Sequence, residues 1–228
     1  MSLILSIETS TSVCSVALHQ EGKLLAYQSL LIARSHAEYL LTIVEHILQV
    51  NQYILKDLQA IAISEGPGSY TGLRIGATTA TGLCYALDIP LIAIHTLEAM
   101  VVAIKPFNTN SALCCPMIDA RRMEVYCLIA DASGTILEEA QPQIITENSF
   151  ANWFKTKQIF FFGDGAEKCK PILSSHQNAL FIDGLYPSAE HIGTLAYQAF
   201  KNNKFVDIAT FAPLYLKPFQ GSAATSTT

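Results

Sequence analysis

Charge is scarce in this chain of 228 residues: Asp, Glu, Lys and Arg together make up 14%. Half of the residues are hydrophobic, so the chain can bury a large core and still keep apolar surface for a partner. The net charge is −5. A surface that grips nucleic acid unaided is more often basic, which argues against this chain as the main nucleic-acid platform. The six cysteines, at 14, 84, 114, 115, 127 and 169, include no C-x-x-C pair. The usual zinc spacings are therefore missing, and the apolar runs around most of these thiols suit reduced, buried cysteines. No segment reaches the ~20 apolar residues of a membrane span. The closest, 72–104, is interrupted by Arg74, Asp88 and Pro90. The opening MSLILSIETS has no basic stretch and too short an apolar run for a secretory signal. The expectation is a soluble, cytoplasmic protein.

What is present is concentrated in residues 59–76, QAIAISEGPGSYTGLRIG. A short apolar run, Gln59 to Ser64, leads into a glycine-rich turn, Glu65 to Thr71, and a helix opens near Gly72. Pro67-Gly68 marks the turn, and Ser69 and Thr71 are residues that cap helices. Strand, glycine turn and helix in that order aim backbone N–H groups outward at a helix start, which suits an anion. Gly66, Gly68, Ser69 and Thr71 are therefore candidate phosphate-facing positions. The turn lacks the lysine of a P-loop, and Thr71 stands where a dinucleotide fingerprint has its third glycine. A tight turn that only positions two elements is the other reading.

Ahead of this stretch, residues 3–8, 13–19 and 23–31 read as three strands, the last two joined by the Glu21-Gly22 turn. Val13, Ser15, Ala17 and His19 share one face of the second strand; Cys14, Val16 and Leu18 share the other. Ser35-His36-Ala37-Glu38 has the form of a capping box, opening a helix to about Asn51. Its apolar residues Tyr39, Leu40, Leu41, Ile43, Val44, Ile47, Leu48 and Val50 cover roughly 200° of the circumference. One sheet needs about half of that. Either the helix is sandwiched within the monomer or its second apolar side meets another chain. The helix over 72–87 is rich in small residues and has no clear polar face, so it is predicted to be buried all round. Beside the helix over 36–51 it would form half of an intermolecular four-helix bundle.

Lys105-Pro106 and Asn108 to Asn110 read as a linker. It divides an N-terminal lobe, 1–104, from a C-terminal lobe, 105–220. Two successive hairpins, over 112–118, 123–130 and 135–139, repeat the plan of the first lobe. An aromatic strand follows over 158–162, then Gly163-Asp164-Gly165-Ala166, and a helix over 189–202 with Ile192, Leu195, Ala196 and Phe200 on one side. The last eight residues, 221–228, have too little to bury and are predicted to be disordered. The class is α/β.

Four stretches, ILSIETSTSVCSVAL (4–18), EGPGSYTGLRIG (65–76), DARRMEVY (119–126) and PLYLK (213–217), resemble the bacterial TsaB (YeaZ) family over nearly the whole chain. The resemblance implies an actin-like ATPase (ASKHA, ribonuclease H-like) fold of two lobes, each a mixed sheet with helices. It puts Glu8, Thr9, Ser10 and Thr11 where such folds face nucleotide phosphates; a plain hairpin whose hydroxyls satisfy their own backbone is the alternative. It implies a non-catalytic subunit of the complex that forms N6-threonylcarbamoyladenosine at position 37 of ANN-decoding tRNAs. The partners would be a TsaD-type transferase and a TsaE-type ATPase, with a homodimer when alone and tRNA reached mainly through the complex. Pairing would run through the helices over 36–51 and 72–87, naming Tyr39, Leu40, Leu41, Val44, Ile47, Leu48, Ile75, Thr79 and Leu83 as interface residues. Leu41→Glu or Leu48→Glu should then abolish pairing and leave the fold intact. Where TsaD enzymes carry a metal pair H-x-x-x-H, this chain has His95 and then Ala99, so the metal chemistry is expected to be lost. No nucleophile has a matched base, and no catalytic residue or resident cofactor is assigned. Weak ATP or ADP binding, and an actin-like ATPase or peptidase-like activity, are the alternatives.

Overall fold

The computed structural model describes residues 2–32 and 36–218. Ser35 of the capping box and the tail over 221–228 lie outside the described residues. Strands β1 (Leu3–Glu8), β2 (Cys14–Gln20) and β3 (Lys23–Leu30) are followed by helix α1 (His36–Val50). Then come β4 (Ala60–Gly66), α2 (Tyr70–Leu87), β5 (Leu91–His95) and α3 (Thr96–Ile104). The second half contributes β6 (Leu113–Asp119), β7 (Glu124–Ala130), β8 (Ile136–Ile144), α4 (Ala151–Phe154), β9 (Ile159–Phe162), α5 (Ala166–Leu173), β10 (Ala179–Ile182) and α6 (Ala189–Lys201).

The two sheets share one plan. The first runs β3-β2-β1-β4-β5 and the second β8-β7-β6-β9-β10. In each, the first three strands pair antiparallel and the last two add on in parallel. β1 is buried at every position, as a strand covered on both faces must be. One face of the first sheet, with Leu5, Ile7, Val16 and Ile63, receives Leu40, Ile43, Val44 and Ile47 of α1. Its other face, with Ile4, Ala60, Ala62 and Ile92, receives Ile192 and Ala196 of α6. The alternation along β2 follows this division. Ser15 accepts the Ala189 N–H at 3.0 Å on the α6 side, while Cys14, Val16 and Leu18 join the α1 side. Leu97, Met100 and Ile104 of α3 cover one face of the second sheet, and α4 and α5 supply Phe154, Cys169 and Leu173 to the other.

The structure corrects the helix assignments at several points. Leu40, Val44, Ile47 and Leu48 are core residues of the monomer, so they belong to no exposed face. Of the apolar residues on α1, Tyr39, Leu41 and Val50 face outward, Leu41 at 54% exposure. α2 is not buried all round: Arg74, Thr78 and Gly82 are exposed, and Tyr85 is 81% exposed. Ile75 and Leu83 are half-buried against the core, and Thr79 is also half-buried. α6 follows the second sheet in the chain yet packs on the first, so the span 105–220 serves both sheets. All six cysteines are free and buried. Among the described residues no helix is long and apolar enough to cross a membrane.

Candidate functional site

The glycine turn sits at the C-terminal end of β4, beside the turn that follows β1. Ser69 is the N-cap of α2: its hydroxyl accepts the Gly72 N–H at 3.3 Å. Its own N–H donates to the Ser10 carbonyl at 2.6 Å. The two turns are pressed together at three glycines. A β-carbon on Gly68 would collide with the Ser10 carbonyl, one on Gly72 with the Thr9 carbonyl and one on Gly76 with the Thr9 hydroxyl. Glycine here secures close approach of two backbones.

Glu8 lies beneath this junction and is wholly buried. Its Oε1 accepts the Ser10 N–H at 2.6 Å and the Ser64 hydroxyl at 2.9 Å. Burial pushes its carboxyl above the ordinary range, and the hydrogen bonds from Ser10 and Ser64 only partly offset that. Glu8 therefore holds the two turns together from below.

Above the junction opens a cleft of about 1040 Å³ between the two sheets. Ser10, Thr11, Gly68, Ser69 and Thr71 line it; Glu8, Thr9 and Gly66 do not. The opposite wall comes from the β6–β7 hairpin, Asp119 to Glu124, and from Asp164. A strap over 214–218, which takes in Leu214 to Lys217 of the PLYLK motif, also lines the cleft. Leu214 donates its N–H to the Glu65 carbonyl at 2.7 Å, Tyr215 lies 4.8 Å from Tyr70 between ring centroids, and Lys217 forms an ion pair with Glu124. The strap thus ties the glycine turn of the first sheet to β7 of the second.

The second wall holds charges that sequence reasoning left unassigned. Asp119 pairs with Lys168. Asp164 accepts the Asp119 N–H at 3.2 Å, and burial pushes its carboxyl up to about 6. The signal was present in Gly163-Asp164-Gly165, where a β-carbon on Gly163 would strike the Met117 carbonyl. His95, at the end of β5, has its pKa pushed down to about 4 by burial. Ala99, one turn on, is buried hydrocarbon and has no atom to offer a metal. No group of three His, Cys, Asp or Glu among the described residues is placed to hold one.

Two sheets of one strand order, facing each other across a cleft floored by tight turns, define a two-lobed α/β protein of the actin-like ATPase class. The activator of 2-hydroxyisocaproyl-CoA dehydratase from Clostridium difficile, solved with bound ADPNP, shares the fold at TM-score 0.53 and 8% identity, over 89% of this chain and 96% of that one. The chain belongs to the TsaB (YeaZ) family. It is 33% identical to the tRNA threonylcarbamoyladenosine biosynthesis protein TsaB of Escherichia coli (strain K12), over 94% of each chain. YeaZ from Pseudomonas aeruginosa superposes with TM-score 0.80 at 29% identity, covering 95% of this chain and all of that one. Residues 30–216 also match the family model for TsaD, tRNA N6-adenosine threonylcarbamoyltransferase.

Proposed function

We propose that this chain is a non-catalytic subunit of the machinery that forms N6-threonylcarbamoyladenosine at position 37 of ANN-decoding tRNAs. It would act in the cytoplasm, paired with a TsaD-type transferase. The observation that carries the reading is the similarity along 94% of the chain to a protein named for that biosynthesis. The outer side of α1 and α2 supports the pairing. Tyr39, Leu41, Val50 and Tyr85 are exposed there in a chain whose own core is already filled by the inner sides of the same helices. Leu41 of α1 and Tyr85 of α2, large apolar side chains left exposed, suit contact with a partner. A TsaE-type ATPase would join the pair, and the same face would form a homodimer when the chain is alone.

The chemistry of the cleft supports a supporting role. The Ser69 amide is spent on Ser10, Asp119 and Glu124 are held by lysines, and His95 has no second ligand one turn away. Weak ATP or ADP binding is a second reading, favoured by the size of the cleft. Titration of the isolated chain with ATP decides it: saturable binding with hydrolysis would make the chain an enzyme.

Reconstitution tests the main reading. The cognate transferase, ATPase and adduct-forming enzyme are combined with tRNA, ATP, threonine and bicarbonate, with and without this chain. Modified tRNA formed only when the chain is present, and none from the chain alone, is the expected result. Equal product without it removes the role.

A further inference from the structure

The tip of the β6–β7 hairpin carries an arrangement that its local geometry disfavours. Arg121 and Arg122 both have positive φ, 70° and 53°, in the left-handed region where glycine, Asn and Asp are at home. Each non-glycine residue there costs about 1–2 kcal/mol. The backbone is pinned nonetheless. The Arg121 N–H donates to Asp119 Oδ1 at 2.7 Å, the Glu124 N–H to the Arg121 carbonyl at 3.2 Å and the Ala120 N–H to the Glu124 carbonyl at 3.0 Å. Asn-Gly would close this hairpin more cheaply, so the arginines are present for their side chains rather than for the turn.

Those side chains stand at the rim of the cleft. The carboxylates around them are already occupied, Asp119 by Lys168 and Glu124 by Lys217, while Asp164 accepts a backbone N–H. Among the described residues neither arginine has an ion-pair partner. Outside the cleft lining, the Arg74 guanidinium lies 4.4 Å from the centre of the Tyr70 ring, which in turn packs on Tyr215. Both tyrosines are partly exposed, and aromatic and guanidinium planes of this kind are what unpaired bases stack on. Arg121 and Arg122 are thus two exposed guanidiniums at the rim of a chain of net charge −5.

We propose that Arg121 and Arg122 contact the phosphate backbone of the tRNA when the chain acts in the complex described above. The inference rests on that reading. Guanidinium forks match phosphate oxygens bidentately, and such contacts position an RNA without reading its sequence. The arginines would add to a platform supplied mainly by the transferase.

The test is Arg121→Asn combined with Arg122→Gly, which removes both charges and installs residues that suit the backbone. tRNA binding by the chain–transferase complex is measured over a range of salt concentrations, beside the transferase alone and the wild-type complex. The double variant should keep or raise its thermal midpoint and still pair with the transferase. It should bind tRNA about tenfold more weakly at low salt, with the slope of log K against log salt reduced by about 1–2. Unchanged affinity and slope overturn the proposal, as does a wild-type complex that binds tRNA no better than the transferase alone. Loss of pairing overturns it in favour of an acidic protein surface. Product formation without the chain is a separate result and bears on the role, not on the arginines.

Discussion

The N–H of Ser69 and the carbonyl of Ser10, 2.6 Å apart, join the two turns that floor the cleft. One belongs to the strand-to-helix stretch after β4, the other to the first hairpin. The bond uses an amide that an open phosphate cradle would leave for its ligand, and it makes the glycine turn part of the structural frame.

The glycines at this junction should therefore be irreplaceable for steric reasons. Gly68→Ala or Gly72→Ala forces a β-carbon into a backbone carbonyl and should cost about 1–3 kcal/mol, as overpacking does. Gly82 has open space around its β-carbon position, and Gly82→Ala within α2 should gain about 0.5–1 kcal/mol. Urea unfolding of the three variants measures both signs. A tolerant Gly68 would mean that the turns separate readily.

Leu41 and Leu48 lie two turns apart on α1 and should now behave oppositely. Leu41 is 54% exposed and Leu48 is 4% exposed. Leu41→Glu should leave the fold intact and abolish pairing with the transferase. Leu48→Glu buries a charge in the core and should unfold the chain, because an unpaired buried carboxylate costs several kcal/mol. Circular dichroism with co-purification separates the two outcomes. A folded Leu41→Glu variant that still co-purifies would sink the proposed face.

Acid should weaken the α6 side of the first sheet. His19 of β2 lies against Gly193 of α6, with no room for a β-carbon between them. Burial pushes the pKa of His19 down to about 4, against about 6.5 in an unfolded chain. Between those values the unfolded chain binds more protons than the folded one. Stability should thus be full above about pH 6.5 and fall as pH drops toward 4, by at most roughly 3 kcal/mol from this residue. His95 and His191, also lowered by burial, act in the same direction. Urea midpoints at several pH values give the slope, and His19→Gln should flatten it. An unchanged slope in that variant would place the acid sensitivity elsewhere.

The strap should depend on its ion pair. Lys217→Met removes the link to Glu124 and should loosen the Leu214 N–H from the Glu65 carbonyl. Losing a charged hydrogen bond is worth about 1.5–3 kcal/mol, so exchange of the Leu214 amide should speed up by at least about tenfold. Hydrogen exchange read by NMR shows it. Unaltered protection at Leu214 would mean that Tyr215 alone holds the strap.

Much of the first sheet was legible because its signals are local. β1, β2 and β3 fall within a residue of the runs over 3–8, 13–19 and 23–31, and the glycine turn does join a strand to a helix. The direction of a wide apolar face was not legible. On α1 the pattern could not say whether Leu41 or Leu48 points inward, since both lie within the same broad arc. α5 was missed because Lys168, Lys170 and Pro171 interrupt its apolar positions. At the cleft, Gly68, Ser69 and Thr71 were named from turn chemistry and Ser10 and Thr11 from the family resemblance, and all five line it, but the descent of Glu8 beneath the floor depends on Ser64, 56 residues away. The Asp119–Lys168 and Glu124–Lys217 pairs are likewise products of distant strands and helices meeting.

The placement of α6 has a consequence for biosynthesis. Much of one face of the first sheet, with Ile4, Ala62 and Ile92, is covered by Ile192 and Ala196 of α6 beside Ala99 of α3, and the edge of β5 is bridged by Val206. The opening lobe leaves the ribosome long before its lid exists. At about 5–20 residues per second, the hundred or so residues between α3 and the end of α6 keep that face open to water, or to a chaperone, for about 5–20 s. A fragment ending at the linker would carry the part of that face under α6 open permanently.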